Sequence, residues 1–161
     1  DILSHKLTMS ADRFTEGNAE TLPTGRILPV EGTVMDFRRG KEIGADFGKG
    51  DEQLALAHGY DHNFILPGNA GELRWFASAE ANGLKLDAFT TQPAMQLYTG
   101  QFVSTDAAPC GKGGVRYPAY GGFCLETQHY PCSPNFPHFP STVLRPGETY
   151  RHRTVYRFTA I

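Results

Sequence analysis

Apolar residues recur at every second position through much of the chain and almost nowhere at the spacing of a helix face. In "ILSHKLTMSA" (residues 2–11), Leu3, His5, Leu7 and Met9 alternate with Ser4, Lys6 and Thr8, the pattern of a strand with one buried face. Leu73 to Ala79 and Leu84 to Thr90 are two more strand-like runs. The Asn82-Gly83 pair between them accepts the positive φ values of a tight hairpin turn. "AMQLYTGQFV" (94–103) and "GGFCLETQHY" (121–130) read as aromatic-rich strands, and "TYRHRTVYRFTAI" (149–161) as a closing one. Turn chemistry falls at Gly17-Asn18 and at Pro23-Thr24-Gly25, and one short helical turn is expected near Lys41. Residues 130–150 carry Pro131, Pro134, Pro137, Pro140 and Pro146; each removes a ladder donor, which predicts a long extended loop. No repeat, low-complexity segment or linker interrupts residues 1–161. Many strands without helices to cover them predict one all-β domain, a sandwich of antiparallel sheets whose edges must be paired or protected.

The composition agrees with a globular domain: 161 residues, 40% hydrophobic and 20% charged. A net charge of −2, with both signs mixed along the chain, offers neither a basic stripe for nucleic acid nor a polybasic run for a membrane surface, and favours a small neutral partner. No apolar run approaches the roughly 18 residues that span a bilayer. The first residues lack the regions of a signal peptide, and the chain opens on a strand without Met, as a cleaved or truncated product would. Cys110, Cys124 and Cys132 are odd in number, and Cys124 lies in an apolar run where a buried thiol is expected. These point to a reducing, cytoplasmic setting, with a periplasmic or secreted one left open by any leader already removed.

Three stretches carry candidate chemistry. In "FCLETQ", alternation puts Phe123, Leu125 and Thr127 on one face and Cys124, Glu126 and Gln128 on the other. A solvated strand face is the simpler account of Glu126. Against it, Gly121-Gly122 permits close approach, and the aromatic, Pro-rich loop that follows can wall a cleft. In "HGYDHNFILPG" (58–68), Asp61, His62 and Asn63 form a polar triplet, readable either as an Asx turn or as a ligand-binding group. In "TTQPAMQLYTG" (90–100), Gln96 is either an outward polar residue or a donor and acceptor for sugar-type hydroxyls. Trp75, Phe76, Tyr98, Tyr117 and Tyr120 are candidates to stack on a ligand or to fill the core. His129, Cys132 and His138 match no common zinc spacing and lack a fourth ligand, so no metal site is expected. "GKGG" (111–114) lacks the spacing of a phosphate-cradling loop, and neither a nucleophile elbow nor a dinucleotide fingerprint is present.

Taken together, "GYDHNFIL" (59–66), "TTQPAMQLYTG" (90–100), "GFCLETQHYP" (122–131) and "FPSTVLRPGETYRHRTVYRF" (139–158) resemble the C-terminal half of the galactose mutarotase, or aldose 1-epimerase, family. "PTGRILPVEGTVMDFRRGKEIG" (23–44) is similar to the segment upstream of these, so the resemblance spans almost the whole chain in the family's order. It implies a large antiparallel β-supersandwich with an open sugar cleft, and interconversion of the α and β anomers of a free aldose without cofactor or metal. By motif position it implies that Glu126 is the general base, Asp61 a sugar-hydroxyl ligand and Gln96 a further sugar contact.

The family's acid, a His, together with a second active-site His and a substrate-binding Arg, falls upstream of the matched region. None of the six His here occupies those positions; His62 and His129 lie inside matched motifs only as neighbours of the functional residues. Three readings follow. The chain is one part of a mutarotase completed by an N-terminal fragment or chain, or an isolated fragment that binds sugar weakly, or a non-catalytic carbohydrate-binding relative. Retention of Glu126, Asp61 and Gln96 favours the first. Epimerisation of a phosphorylated hexose would need a basic phosphate site that no motif supplies.

Overall fold

Ten strands, in a computed structural model that describes residues 1–104 and 110–161, divide between two five-stranded antiparallel sheets. Numbered along the chain, one sheet has the order β10 (Thr154–Ala160), β7 (Leu84–Thr90), β6 (Arg74–Ala81), β1 (Lys6–Met9), β4 (Lys41–Glu42). The other runs β3 (Pro23–Pro29), β2 (Arg13–Gly17), β5 (Asp61–Ile65), β8 (Ala94–Tyr98), β9 (Cys124–Gln128). The alternation in the sequence becomes an inside and an outside. Leu7 and Met9 of β1 and Ala77 and Ala79 of β6 join Phe14, Phe64, Met95, Leu97 and Leu125 of the second sheet in one buried cluster. Phe14 and Phe64 are directly opposed across β2 and β5, with ring centroids 6.4 Å apart. This apolar layer turns every intervening residue of β5, β8 and β9 to the opposite face.

The β6–β7 hairpin turns at Asn82 (φ 50°) and Gly83 (φ 75°), as the sequence predicts. A Cβ on Gly83 would meet only the Ile161 carbonyl at an ordinary 3.6 Å, so the conformation alone demands glycine. Gly83→Ala is therefore expected to cost about 1–2 kcal/mol. A calorimetric Tm lowered by about 2–8 °C would show it.

Local chemistry moves other boundaries. The turn after β2 closes before Pro23, because Asn18 Oδ1 accepts the backbone N–H of Glu20 and Leu22; Pro23, Thr24 and Gly25 belong to β3 instead. The expected helical turn near Lys41 is a 3-10 turn at Ile43–Asp46, following β4. A six-residue helix, α1 (Glu52–Ala57), has no counterpart in the periodicity because it is shorter than two turns; its Asp51 N-cap accepts from the Leu54 N–H. Gln53 of α1 bonds both backbone groups of Gly17, at 2.8 and 3.0 Å, and so ties the helix to the end of β2. The Pro-rich segment is loop apart from one 3-10 turn at Ser133–Asn135.

Candidate active site

Strand pairing decides what the outward face carries. Asn63, Gln96 and Glu126 lie in one row across β5, β8 and β9; Asp61, Tyr98 and Cys124 lie in the next. Three residues from three separate motifs thus reach one polar surface whose underside is the core. Gly100, just past β8, helps to bring β9 in: its φ is 69°, and a Cβ there would stand 2.5 Å from the Gly122 carbonyl oxygen. Only glycine allows that approach.

Side-chain hydrogen bonds join the row. Gln96 Nε2 donates to Asp61 Oδ1 at 2.8 Å. Gln128 Nε2 donates to Gln96 Oε1 and to Asn63 Oδ1, each at 3.0 Å. Asp61 and Gln96 are half-buried, Asn63 is buried and Glu126 is exposed. The arrangement provides a carboxylate open to a ligand beside an amide and a second carboxylate already bonded to each other. A carboxylate in such a place can accept a proton, and the Asp61–Gln96 pair can accept from and donate to hydroxyls.

Cys124 corrects an expectation. β9 is the last strand of its sheet and Cys124 points to its outer side, so the thiol is exposed rather than buried. Partial burial and the adjacent Glu126 carboxylate push its pKa up, which keeps it protonated and poorly nucleophilic. Of the aromatic candidates, Tyr98 alone shares the site face, its hydroxyl accepting from the Phe102 N–H. Phe76 is core, Trp75 donates to Ser78 in the other sheet, Tyr120 donates to the His58 carbonyl, and Tyr117 packs on Gly111. His129 packs against His152, with centroids 5.4 Å apart, while His138 bonds the Gly25 carbonyl oxygen. Among the described residues no group of three or more His, Cys, Asp or Glu is placed to hold a metal ion.

His62 alternates to the underside of β5. Burial lowers its pKa to about 4, and its Nδ1 accepts the Asp61 backbone N–H, a role open only to an uncharged nitrogen. A folded-state value below the unfolded value of about 6.5 means that the unfolded chain takes up a proton first. Stability is therefore expected to be full above pH 6.5 and to fall as pH drops from 6.5 towards 4. Urea midpoints measured across that range check this; His62→Gln should flatten the decline.

Two concavities flank the row. A small one of about 110 Å³ opens beside Asp61, Asn63, Gln96, Thr15 and Cys132. A larger, mainly apolar groove of about 640 Å³ lies between β9 and the β7–β10 edge, with Glu126 at its rim and Leu86, Phe123, Leu125, Tyr156 and Phe158 among its walls. Phe158 on β10 is 71% exposed.

Asn63 and Gln128 were the site members least visible in the sequence. The signal for them is the i, i+2 step from Asp61 and from Glu126 along their own strands.

The family model for aldose 1-epimerase matches residues 1–157. The chain is 42% identical over 161 residues to the galactose mutarotase of Rattus norvegicus, covering 99% of this chain and 45% of that protein. It is 40% identical to the galactose mutarotase of Homo sapiens, with the same coverage. To the aldose 1-epimerase of Escherichia coli it is 34% identical, covering 99% of this chain and 46% of that one. Among solved structures, it is similar to an aldose epimerase homologue from C. elegans, with a TM-score of 0.83, 32% identity and coverage of 99% and 47%. The galactose 1-epimerase of Lactobacillus acidophilus gives a TM-score of 0.80 at 31% identity, covering 99% of this chain and 45% of that one. The chain spans about half the length of the curated relatives it matches.

Proposed function

The chain belongs to the aldose 1-epimerase family, and from that premise we propose that it is the base-bearing part of a mutarotase acting on free aldohexoses such as glucose or galactose. The observation that carries the proposal is the single row in which the exposed Glu126 carboxylate stands directly across from Gln96, itself bonded to Asp61. Asp61 and Gln96 hold the sugar by its hydroxyls. Glu126 takes the proton from the C1 hydroxyl as an acid protonates the ring oxygen, and the C1–O5 bond breaks to give the open-chain aldehyde. Rotation about C1–C2 presents the other carbonyl face. O5 then adds to C1, giving its proton back to the acid's conjugate base, while Glu126 returns its proton to the carbonyl oxygen.

Such a cycle needs an acid opposite Glu126. No His among the described residues shares the outward face of β5, β8 and β9; His62, on β5 itself, is turned to the underside. We assign the acid to polypeptide N-terminal to this chain, joined to it or separate. The apolar groove between β9 and β10 supports that reading, since apolar surface of this kind is ordinarily covered by another part of the molecule. The missing imidazole equally favours a second reading, a carbohydrate-binding module of the same fold without catalysis. Polarimetry on fresh α-D-galactose and α-D-glucose, with intact-mass analysis of the active species, separates the two. Mutarotation above the buffer rate by a species containing more than this chain is expected; sugar binding with no acceleration would establish the second.

A further inference from the structure

The hydrogen bonds of the site have a direction, and Asp61 sets it. An ionised carboxylate only accepts, so Gln96 turns Nε2 towards Asp61 and Oε1 away. Oε1 must then receive a hydrogen, and Gln128 supplies it from Nε2. With its second hydrogen that same nitrogen donates to Asn63 Oδ1, which leaves Asn63 Nδ2 facing elsewhere. The reverse sense would set Gln96 Oε1 against a carboxylate oxygen. Asn63 is only 2% exposed, its Nδ2 has no partner among the described residues, and the residue lines the small cavity next to Asp61 and Gln96. A buried donor without a partner is uncommon in a folded chain.

We infer that Gln128 and Asn63 are positioning residues of the sugar site: through Gln128, the relay locks Gln96 in the orientation that presents a donor beside the Asp61 acceptor. It rests on the proposed mutarotase reading. Gln96 Nε2 keeps one hydrogen for a ligand and Asp61 keeps its other oxygen, while Asn63 Oδ1 takes the second hydrogen of Gln128 Nε2 and so fixes Gln128. A donor beside an acceptor suits neutral hydroxyls. Gln128 lies on the edge strand two residues beyond Glu126 and acts through Gln96, not on the reacting atoms.

Gln128→Glu in the complete protein replaces the donating nitrogen with an oxygen, so Gln96 Oε1 meets a carboxylate in either orientation and the amide is no longer locked with its donor beside Asp61. The expected result is a KM for galactose raised about tenfold at pH 7.5 with kcat changed less than about threefold. The KM defect should shrink as pH falls towards 4, where a protonated carboxyl donates again. In a Gln96→Ala background the same substitution should add nothing, because the residue it acts through is gone. An unchanged KM, or an equal KM ratio in both backgrounds, would overturn the inference. Should Gln128→Glu fail to fold, Gln128→Met in the same cycle decides it by the same criterion. A parent protein without mutarotase activity would refute the proposed function instead. The relay then stands or falls on the side-chain amide NMR signals of Gln128 and Asn63, which shift on Asp61→Asn if orientation is transmitted and stay in place if it is not.

Discussion

Glu126→Gln in the complete protein is expected to slow anomer interconversion by about 10²–10⁴-fold while leaving sugar affinity within a factor of a few. The substitution keeps the shape of the side chain and removes only its capacity to take a proton. Glu126 is exposed on β9, so the fold does not depend on burying it, and the variant should remain as stable as the parent. The carboxylate does, however, stand directly across from Gln96 in the β8–β9 register, where a sugar held by Asp61 and Gln96 would bring its reacting end. Polarimetry on fresh α-D-galactose measures the rate, and titration of the variant with the same sugar measures binding. Activity near that of the parent would remove Glu126 from the mechanism; loss of binding in step with rate would make it a ligand rather than a base.

Asp61→Asn should act on binding and turnover together, with kcat/KM lowered about 100-fold. Two losses combine. A charge-assisted hydrogen bond to a sugar hydroxyl becomes a neutral one. In addition, an amide at position 61 can donate as well as accept, so Gln96 no longer has a compulsory orientation and the relay through Gln128 to Asn63 loses its sense. Positioning of this kind reaches the reacting atoms even though Asp61 does not touch them, because small displacements of a bound substrate are costly in rate. Steady-state kinetics resolves the effects, KM reporting the weakened hydroxyl contact together with the loss of Gln96's orientation, and kcat any displacement of the sugar's reacting end that follows from losing the Asp61 contact itself. Unchanged values of both would return Asp61 to the simpler role of opening strand β5.

Much of the architecture is legible along the chain because a strand face is a local property. With a period of two, Leu7 and Met9, or Phe123 and Leu125, declare their side without reference to any other strand. The Asn82-Gly83 hairpin is equally local, since positive φ at both positions suits these two residue types. Short elements escape this logic. The helix over Glu52–Ala57 has too few residues to show a period, and the reversal after β2 depends on one Asn18 side chain gathering two backbone donors. Cys124 escapes it for another reason: apolar neighbours along a strand do not say whether that strand lies at the centre of a sheet or, as β9 does, at its edge.

The sequence by itself therefore determined the all-β class and the faces of its clearest strands, and it singled out three side chains, Asp61, Gln96 and Glu126, on which the chemistry is proposed to rest. It could not determine their company. Asp61 and Gln96 lie 35 positions apart, and Gln128 and Asn63 lie 65 apart. Only the register of β5, β8 and β9 places all five on one surface. That register is a cooperative outcome: shifting β8 by a single residue would turn Met95 and Leu97 out of the core, so the burial of one face dictates which polar groups meet on the other. The direction of the amide relay, and the unpartnered nitrogen of Asn63 at its end, are further consequences of that meeting. They exist only once an acceptor that cannot donate has been brought within hydrogen-bond distance of an amide that can do both.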